Sequence, residues 1–176
     1  MTLRGFLTII GLLSALMFST NARAQNAASA VLKNAEGQPA GNAQFQETKE
    51  GVLVTLRVRG LPAGLHAVHI HAVGKCEGPQ FTSAGGHFNP GQKKHGFKSP
   101  DGPHAGDLPD LLVVKDGTGR FEAVTDAVTF AAGQNSIFDQ DGSAIVVHAT
   151  ADDNATDPSG NSGDRIACGV IEKSKK

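Results

Sequence analysis

An excess of positive charge is the first thing that the sequence lacks. Its 176 residues contain 16 Lys and Arg against 17 Asp and Glu, a formal net charge of −1 at pH 7. Arg4 and Arg23 lie in a predicted leader, and without them 14 basic residues remain and the net charge is −3. Because nucleic-acid binding requires a basic face or stripe, we predict no nucleic-acid partner.

A hydrophobic run of membrane-spanning length is also missing. The run FLTIIGLLSALMF covers residues 6–18, whereas a helix that crosses a hydrocarbon layer of about 30 Å needs about 20 residues. Arg4 precedes this run and the small residues Ala22 and Ala24 follow it, which is the order of a secretory signal peptide. We predict a signal peptide over residues 1–24, with a retained anchor as the alternative, and one domain over residues 25–176. The mature chain then has no membrane partner and is periplasmic or secreted.

Cysteine is scarce, with two residues, Cys76 and Cys168. In the oxidising compartment that a signal peptide implies, two cysteines favour a disulfide over two free thiols. A bridge between them would close a loop of about 90 residues, for which the loop-entropy model gives a stabilisation of about 4 to 5 kcal/mol.

Apolar residues at helical spacing, internal repeats and linkers rich in Pro or Ser are all missing. Strand patterns occur instead: residues 52–59 alternate apolar and polar side chains, and residues 111–124 are typical of two short strands around an Asp-Gly turn. Further strands are predicted at residues 27–34, 44–49 and 66–73 and within residues 140–150. Twenty-two glycines and eight prolines interrupt these runs. The pattern favours an antiparallel sandwich or barrel.

Two segments, residues 74–110 and 152–164, do not fit this strand pattern. Loops longer than about 12 to 15 residues in a compact domain are usually functional or disordered. All seven histidines lie in the strand 66–73, in the first of these loops, or at the end of the strand before the second. They are His66, His69, His71, His87, His95, His104 and His148.

The strand 66–73 separates its histidines by parity. Val68 and Ile70 are natural core residues, so His69 and His71 share the opposite face, beneath the loops. Two imidazoles two residues apart on a strand can chelate one metal ion. His66 has the other parity, and we expect it to be hydrogen-bonded at the inner edge of the sheet and not to be a ligand.

The first loop contributes its own candidate metal ligands, His87, His95, His104 and Asp107. Three imidazoles and a carboxylate satisfy a tetrahedral zinc ion, and a site in which all four ligands come from the protein is structural. His148 can join His69 and His71 if its strand lies nearby. These residues alone leave copper, zinc, iron and nickel open, and the alternative for each single histidine is a surface or structural role.

Six segments, in order and with compatible spacing, resemble the copper,zinc superoxide dismutases, specifically the exported bacterial kind. They are AVHIHAVG (67–74), SAGGHFNP (83–90), KKHG (93–96), HAGDLPD (104–110), VVHATADD (146–153) and GNSGDRIACGVI (160–171). The resemblance extends from about residue 27 to residue 171. It implies an all-β fold, the flattened eight-stranded Greek-key β-barrel, an immunoglobulin-like sandwich, with two long functional loops.

The resemblance also implies roles for single residues. The copper ligands are His69, His71, His87 and His148, and the zinc ligands are His87, His95, His104 and Asp107. His87 belongs to both sets as the bridging imidazole and is also a proton carrier in catalysis. Asp152 matches an outer carboxylate that hydrogen-bonds both His69 and His95. Arg165 matches the arginine that guides the anion to copper, and Cys76 and Cys168 match the family disulfide.

The implied function is dismutation of superoxide to dioxygen and hydrogen peroxide by a redox-cycling copper ion, with a structural zinc ion. Superoxide is the predicted substrate, and a homodimer is compatible with the family. The alternative is a secreted copper- and zinc-binding protein of the same fold that stores or buffers metal without turnover. Complete ligand sets and Arg165 favour the enzyme, because storage requires neither a bridge nor a guiding arginine.

One departure from the family concerns charge. Eukaryotic members have a lysine in the loop that corresponds to residues 152–164, and it helps to attract superoxide. Here that loop is shorter and has no lysine; its charged residues are Asp152, Asp153, Asp157 and Asp164. Candidates for a replacing positive field lie in the first loop, although a lysine in such a loop is commonly just solvated. They are Lys75, Lys93, Lys94 and Lys98.

Overall fold

The computed structural model describes residues 26–174, and nine β-strands follow one another along this part of the chain. They are β1 (Ala27–Asn34), β2 (Pro39–Glu47), β3 (Val52–Val58), β4 (Gly64–His71), β5 (Asp107–Val113), β6 (Gly119–Thr125), β7 (Ala144–His148), β8 (Arg165–Val170) and β9 (Glu172–Lys173). The predicted signal peptide, residues 1–24, lies outside the described residues. Within residues 26–174, no helix has the length and the apolar composition to cross a membrane.

Strands β1 to β8 close into an antiparallel barrel. Their order is β2-β3-β6-β5-β4-β7-β8-β1, and β1 pairs again with β2. The neighbouring strands β3 and β6 are not consecutive in sequence, and neither are β4 and β7. The chain therefore crosses from one side of the flattened barrel to the other, as in a Greek key. Pairing is short where the sides meet, since β5 pairs with β6 at Val113↔Gly119 and β1 pairs with β8 at Lys33 and Asn34. The barrel is therefore flattened, which confirms the predicted fold.

Alternation along the strands separates the core from the surface. The four positions of β3 predicted to share a face are buried, namely Val52, Val54, Leu56 and Val58. On β4, Val68 and Ile70 belong to the same core, so His69 and His71 have the opposite orientation. Each fully buried aliphatic side chain contributes about 1.5 to 3 kcal/mol, and the core thereby fixes the strand that carries both histidines.

The end of the first loop differs from the prediction. The structure places β5 from Asp107 onwards, so the predicted loop 74–110 is wrong over its last four residues and the first long loop is 72–106. A proline within an apolar run argues against a strand. Pro109 therefore makes β5 hard to predict from the sequence. The register of β5 against β4 shifts between His66 and Val68. Pro109 lies at this irregularity, where a proline is tolerated.

Other strand boundaries also differ. β8 (Arg165–Val170) is absent from the predicted strands, because its apolar residues are interrupted by small ones such as Gly169. β2 begins at Pro39 and not at residue 44, and β4 ends at His71 and not at residue 73. β8 leaves residues 149–164 as the loop that contains the predicted segment 152–164, and we call it the second long loop; the connection 126–143 between β6 and β7 is also long and lies outside both predicted loops. β4 and β7 run antiparallel, with His71 opposite Ala144, so the two long loops leave this pair of strands at opposite ends. They meet over its outer face, where Asp152 and Asp157 of the second loop accept hydrogen bonds from His95 of the first.

Candidate metal centre

Strands β4 and β7 present three histidines on the outer face of the barrel, beneath the long loops. His69 and His71 end β4, and β7, which pairs with β4, ends at His148. A short β-bridge between His71 and His87 holds the first long loop beside them. His69, His71 and His148 are buried, and the side chain of His87 is 3% exposed. The predicted return of His148 to the β4 pair therefore occurs.

These four residues, His69, His71, His87 and His148, form what we call the four-histidine group, whose ligand atoms lie within 4.8 Å of one another. The outer ring nitrogens are committed to oxygen atoms: His71 Nδ1 donates to Gly85 O (2.9 Å) and His148 Nδ1 to Gly163 O (3.2 Å). Since a carbonyl only accepts, each Nε2 then carries a free lone pair. Such lone pairs are what a metal ion requires.

The ring nitrogens that face the interior of the four-histidine group have no hydrogen-bond partner outside the group among the described residues. The Nε2 atoms of His71 and His148 face each other at 3.4 Å, and His69 Nδ1 and His87 Nε2 are buried without a hydrogen-bond partner. Buried polar atoms without a partner cost free energy, and lone pairs that point at one another repel. A cation between these nitrogens would remove both costs, so the group fits a nitrogen-ligated metal.

A second set of ligand atoms, the His₃Asp group, consists of His87, His95, His104 and Asp107. Asp107 Oδ1 lies 3.0 Å from His87 Nδ1, 3.1 Å from His95 Nδ1 and 3.6 Å from His104 Nδ1. His104 Nδ1 lies 3.3 Å from His87 Nδ1. Around a tetrahedral zinc ion with bonds of about 2.0 Å, ligand atoms are about 3.3 Å apart. The group therefore has the dimensions of a zinc site.

Ligand-atom distances alone also admit a different fourth member. His69, His87, His95 and Asp107 have ligand atoms that all lie within 4.8 Å of one another, and this set contains His69 in the place of His104. His69, however, has one free lone pair, on Nδ1, and that atom belongs to the four-histidine group. His87 can serve both groups because its two nitrogens face opposite ways, Nδ1 towards Asp107 and Nε2 towards the four-histidine group. We therefore assign His104 to the zinc-like geometry.

The carboxylate of Asp107 is oriented by the backbone. Its Oδ2 atom accepts hydrogen bonds from the backbone N–H groups of Gly96 (2.9 Å) and His104 (3.0 Å), which leaves Oδ1 for a metal. Burial alone would raise the pKa of Asp107, but the hydrogen bonds from His87 and Gly96 hold it below its usual value. Asp107 is thus ionised, as a metal ligand must be.

Asp152 accepts hydrogen bonds from one ring of each group, at the nitrogen that faces away from the proposed metal ion. Its Oδ2 atom accepts from His69 Nε2 at 2.7 Å and its Oδ1 atom accepts from His95 Nε2 at 2.9 Å. These bonds fix the tautomer of both rings, so that Nδ1 of each faces its metal group. Burial works against ionisation, but the hydrogen bonds from the two rings hold the pKa of Asp152 below its usual value. The contacts are those predicted for the outer carboxylate.

Burial keeps three rings of the four-histidine group, those of His69, His71 and His148, neutral at pH 7. Desolvation lowers the pKa of His69 to about 4 and that of His148 to about 3. It also lowers the pKa of His71 to about 2, helped by the positive charge of Arg165. A neutral imidazole is the metal-binding form, so protons compete with a metal ion in this group at acidic pH and not at neutral pH.

A cavity of about 490 Å³ between the two long loops connects the four-histidine group to solvent, and we call this cavity the opening. Its lining includes His71, His87, His148 and Arg165. The guanidinium of Arg165 donates from Nη1 to Phe81 O and from Nη2 to Gly85 O, each at 2.6 Å. Arg165 is thus a fixed positive charge beside the four-histidine group.

The four lysines of the first long loop differ in position. Lys93 lines the opening. Lys94 pairs with Asp157 at 3.1 Å, and Lys98 donates to Asp153 O at 2.8 Å. Lys75 is exposed and does not line the opening. Lys93 is therefore the candidate among them whose charge can act on an anion in the opening.

Two further predictions can be compared with the structure. His66 is buried and hydrogen-bonded through both ring nitrogens, to His148 O and Pro62 O at 2.8 Å each, so its expected hydrogen-bonded role is confirmed. Cys76 and Cys168 form a disulfide. This bridge ties the start of the first long loop to β8, which begins with Arg165.

Sequence reasoning missed residues that act through the backbone or across loops. Gly85 and Gly163 supply the carbonyls that orient His71 and His148, and no side-chain pattern identifies a carbonyl acceptor. Gly160 has a φ of +65° and packs against Asp152 Oδ1, so closely that a Cβ there would overlap it. For Asp157, the sequence pattern indicates only an acidic residue in the loop 152–164. The signal in the sequence is that Asp157 precedes a proline, Pro158, in a loop expected to lie near the histidines.

Comparison with known proteins agrees with this geometry. The family model described as copper/zinc superoxide dismutase (SODC) matches residues 39–171. A protein of Aquifex aeolicus named Cu-Zn superoxide dismutase 2 is 46% identical over 160 residues, covering 90% of this chain and 94% of its own. The Cu-Zn superoxide dismutase of Caulobacter vibrioides is 42% identical, covering 82% and 85%. The crystal structure of a SOD-like protein from Bacillus subtilis has a TM-score of 0.78 at 41% identity, covering 81% and 96%. This chain belongs to the copper/zinc superoxide dismutase family.

Proposed function

We propose that the mature chain is a superoxide dismutase that holds copper in the four-histidine group and zinc in the His₃Asp group. The observation that carries the proposal is the sharing of His87: its Nδ1 atom lies 3.0 Å from Asp107 Oδ1 and 3.3 Å from His104 Nδ1, and its Nε2 atom belongs to the four-histidine group. A bridged pair of groups beside a fixed arginine supports turnover of an anion over simple storage of metal.

Copper, when bound, supplies the one-electron couple by which one superoxide leaves as dioxygen and a second, with two protons, leaves as hydrogen peroxide. The chain's own residues bind, orient and protonate. Arg165 presents a planar cation at the opening, which suits a small dioxygen anion. His87 Nε2 is the buried nitrogen that we assign to carry a proton to the product. The zinc ligands take no part in electron transfer, since zinc has no redox chemistry in proteins, and they order the first long loop.

Attraction of the substrate is a further part of the proposal. The net charge of the mature chain, −3, repels an anion at long range, so capture depends on the local field at the opening. We assign that field to Arg165 and Lys93, the cations that line it. Lys94 contributes less because Asp157 neutralises it.

Superoxide consumption by the purified mature protein, loaded with copper and zinc, tests the proposal. Elemental analysis of the same sample gives the number of ions per chain. Rapid consumption at one copper and one zinc per chain is the expected result. Full occupancy without consumption would favour the alternative, a secreted protein that stores or buffers both metals.

We also propose that the chain acts in the periplasm or outside the cell. The predicted signal peptide and the Cys76–Cys168 disulfide support an oxidising compartment. N-terminal sequencing of protein recovered from a periplasmic extract and from the culture medium tests this. A mature sequence that begins at Gln25 is expected, and an intact leader on a cytoplasmic protein would contradict it.

A homodimer is the last part of the proposal. Leu65 and Leu112 are cross-strand partners on β4 and β5 and are 52% and 56% exposed, and Val114 beside them is 48% exposed. An apolar patch of this kind suits an isologous contact with a second copy. Sedimentation of the wild type and of Leu112→Glu tests it: a wild-type dimer that dissociates in the variant supports the patch, and a monomeric wild type refutes it.

A further inference from the structure

Asp157, on the second long loop, approaches the ring of His104, whose outer nitrogen has no hydrogen-bond partner among residues 26–174. The outer nitrogens of His69 and His95 have Asp152, and that of His71 has the carbonyl of Gly85. His104 directs Nδ1 to the His₃Asp group, and its Nε2 atom lies 3.8 Å from Asp157 Oδ1. A histidine that binds a metal almost always gives its other N–H to a carboxylate, a carbonyl or water.

The same carboxylate holds the backbone of a second zinc-group residue. Asp157 Oδ1 accepts a hydrogen bond from His95 N at 2.9 Å, and Oδ2 accepts one from Lys94 Nζ at 3.1 Å. Three groups of the first long loop therefore converge on one side chain of the second. Asp157 is 39% exposed and, with Lys93, lines the opening.

From this geometry we infer that Asp157 is a positioning residue of the zinc site, the carboxylate that orients His104 and fixes His95 from the second long loop. The inference rests on the proposed zinc site. At 3.8 Å the contact with His104 is longer than a hydrogen bond and is electrostatic. A cation on Nδ1 makes the ring N–H on the far side a stronger donor, so the contact strengthens when the site is loaded. Zinc binding thereby also holds the wall of the opening that Asp157 forms.

The variant Asp157→Asn isolates the charge. An asparagine oxygen can still accept from His95 N, so the loop connection survives while the negative charge beside His104 is lost. Removal of such an outer carboxylate costs about 10- to 100-fold in metal affinity, and partial exposure places this one at the lower limit, about tenfold. Zinc affinity is measured at equilibrium by competition with a chromogenic chelator, with the copper group filled.

Asp153→Asn is the matched control. Asp153 lies in the same loop and accepts from Thr156 and Asn161, and within the described part of the chain no hydrogen bond joins its side chain to a zinc-group residue. We expect its zinc affinity to stay within twofold of the wild type. A Lys94→Gln variant, which removes the competing partner of Asp157, should bind zinc no more weakly than the wild type. Equal losses in Asp157→Asn and Asp153→Asn would mean general loosening of the loop and would overturn the inference.

A spectroscopic readout separates orientation of His104 from mere stability. Cobalt(II) bound in the His₃Asp group has visible bands that respond to ligand geometry and donor strength. We expect these bands to shift in Asp157→Asn and to remain unchanged in Asp153→Asn. If Asp157→Asn has unchanged bands and wild-type zinc affinity, the role of Asp157 is refuted and the proposed zinc site is not affected. A wild-type protein that takes up no zinc would refute the zinc site itself.

Discussion

Replacement of Asp152 by asparagine should weaken the binding of both metals at once. Asp152 accepts from His69 at 2.7 Å and from His95 at 2.9 Å, and its side chain is 2% exposed. Asparagine has one acceptor oxygen, so one ring loses its partner and faces an amide N–H₂ group, which can only donate. The other ring keeps a hydrogen bond to a neutral acceptor, about half as strong as one to a carboxylate.

The magnitude follows from the loss of an outer carboxylate. A 10- to 100-fold weaker affinity corresponds to about 1.4 to 2.7 kcal/mol for each ion. Copper and zinc affinities are measured separately, by competition with chelators of known strength, in Asp152→Asn and in the neighbouring Asp153→Asn. Circular dichroism of both metal-free variants checks that the barrel is intact. If Asp152→Asn, correctly folded, bound both ions as tightly as Asp153→Asn, the assignment of Asp152 as the shared support would be wrong.

Three other perturbations address the copper group, its protonation and the opening. His71→Ala should abolish dismutation and leave a folded, zinc-bound domain by elemental analysis; an active variant would contradict the copper assignment. Because the pKa values of His69 and His148 are lowered from 6.5 to about 4 and about 3, these rings are neutral in the native state and become protonated in the unfolded chain below pH 6.5. The free energy of unfolding of the metal-free protein should therefore fall between pH 6.5 and 4, by up to about 1.4 kcal/mol per pH unit for each ring; a flat profile in denaturant titrations would refute the burial argument. Lys93→Gln should lower kcat/KM at low ionic strength and flatten its dependence on salt, whereas Lys94→Gln should change both less; equal effects would contradict the assignment of the field to Lys93.

The fold was predictable where side-chain patterns repeat and not where the backbone decides. The period of two in β3 and β4 indicated which residues are buried and that His69 and His71 share a face. β5 was hidden by Pro109, because tolerance of a proline depends on a register shift against β4 that only the paired strands define. β8 was hidden because its buried residues are small and pack against strands distant in sequence.

The metal groups were predictable by residue type and resemblance, but not their supports. Histidine and aspartate at these spacings, together with the resemblance, predicted the two ligand sets that we propose. The carbonyls of Gly85 and Gly163 could not be found from sequence, because every residue has a carbonyl and only the folded loops determine which one meets a ring nitrogen. The contact between Asp157 and His104 likewise depends on how the two long loops approach each other.

The close packing of Gly160 over Asp152 has a consequence for how the ions arrive. On that side the site is closed, since the side chains of His69 and His95 have no exposed surface. His71, His87, His104 and His148, by contrast, all line the opening beside Arg165. Metal ions and the substrate anion therefore share one entrance, and the positive charge that draws in the anion repels an incoming cation. Loading the protein with metal should be slower than its ligand chemistry allows, and it should speed up when an anion screens Arg165.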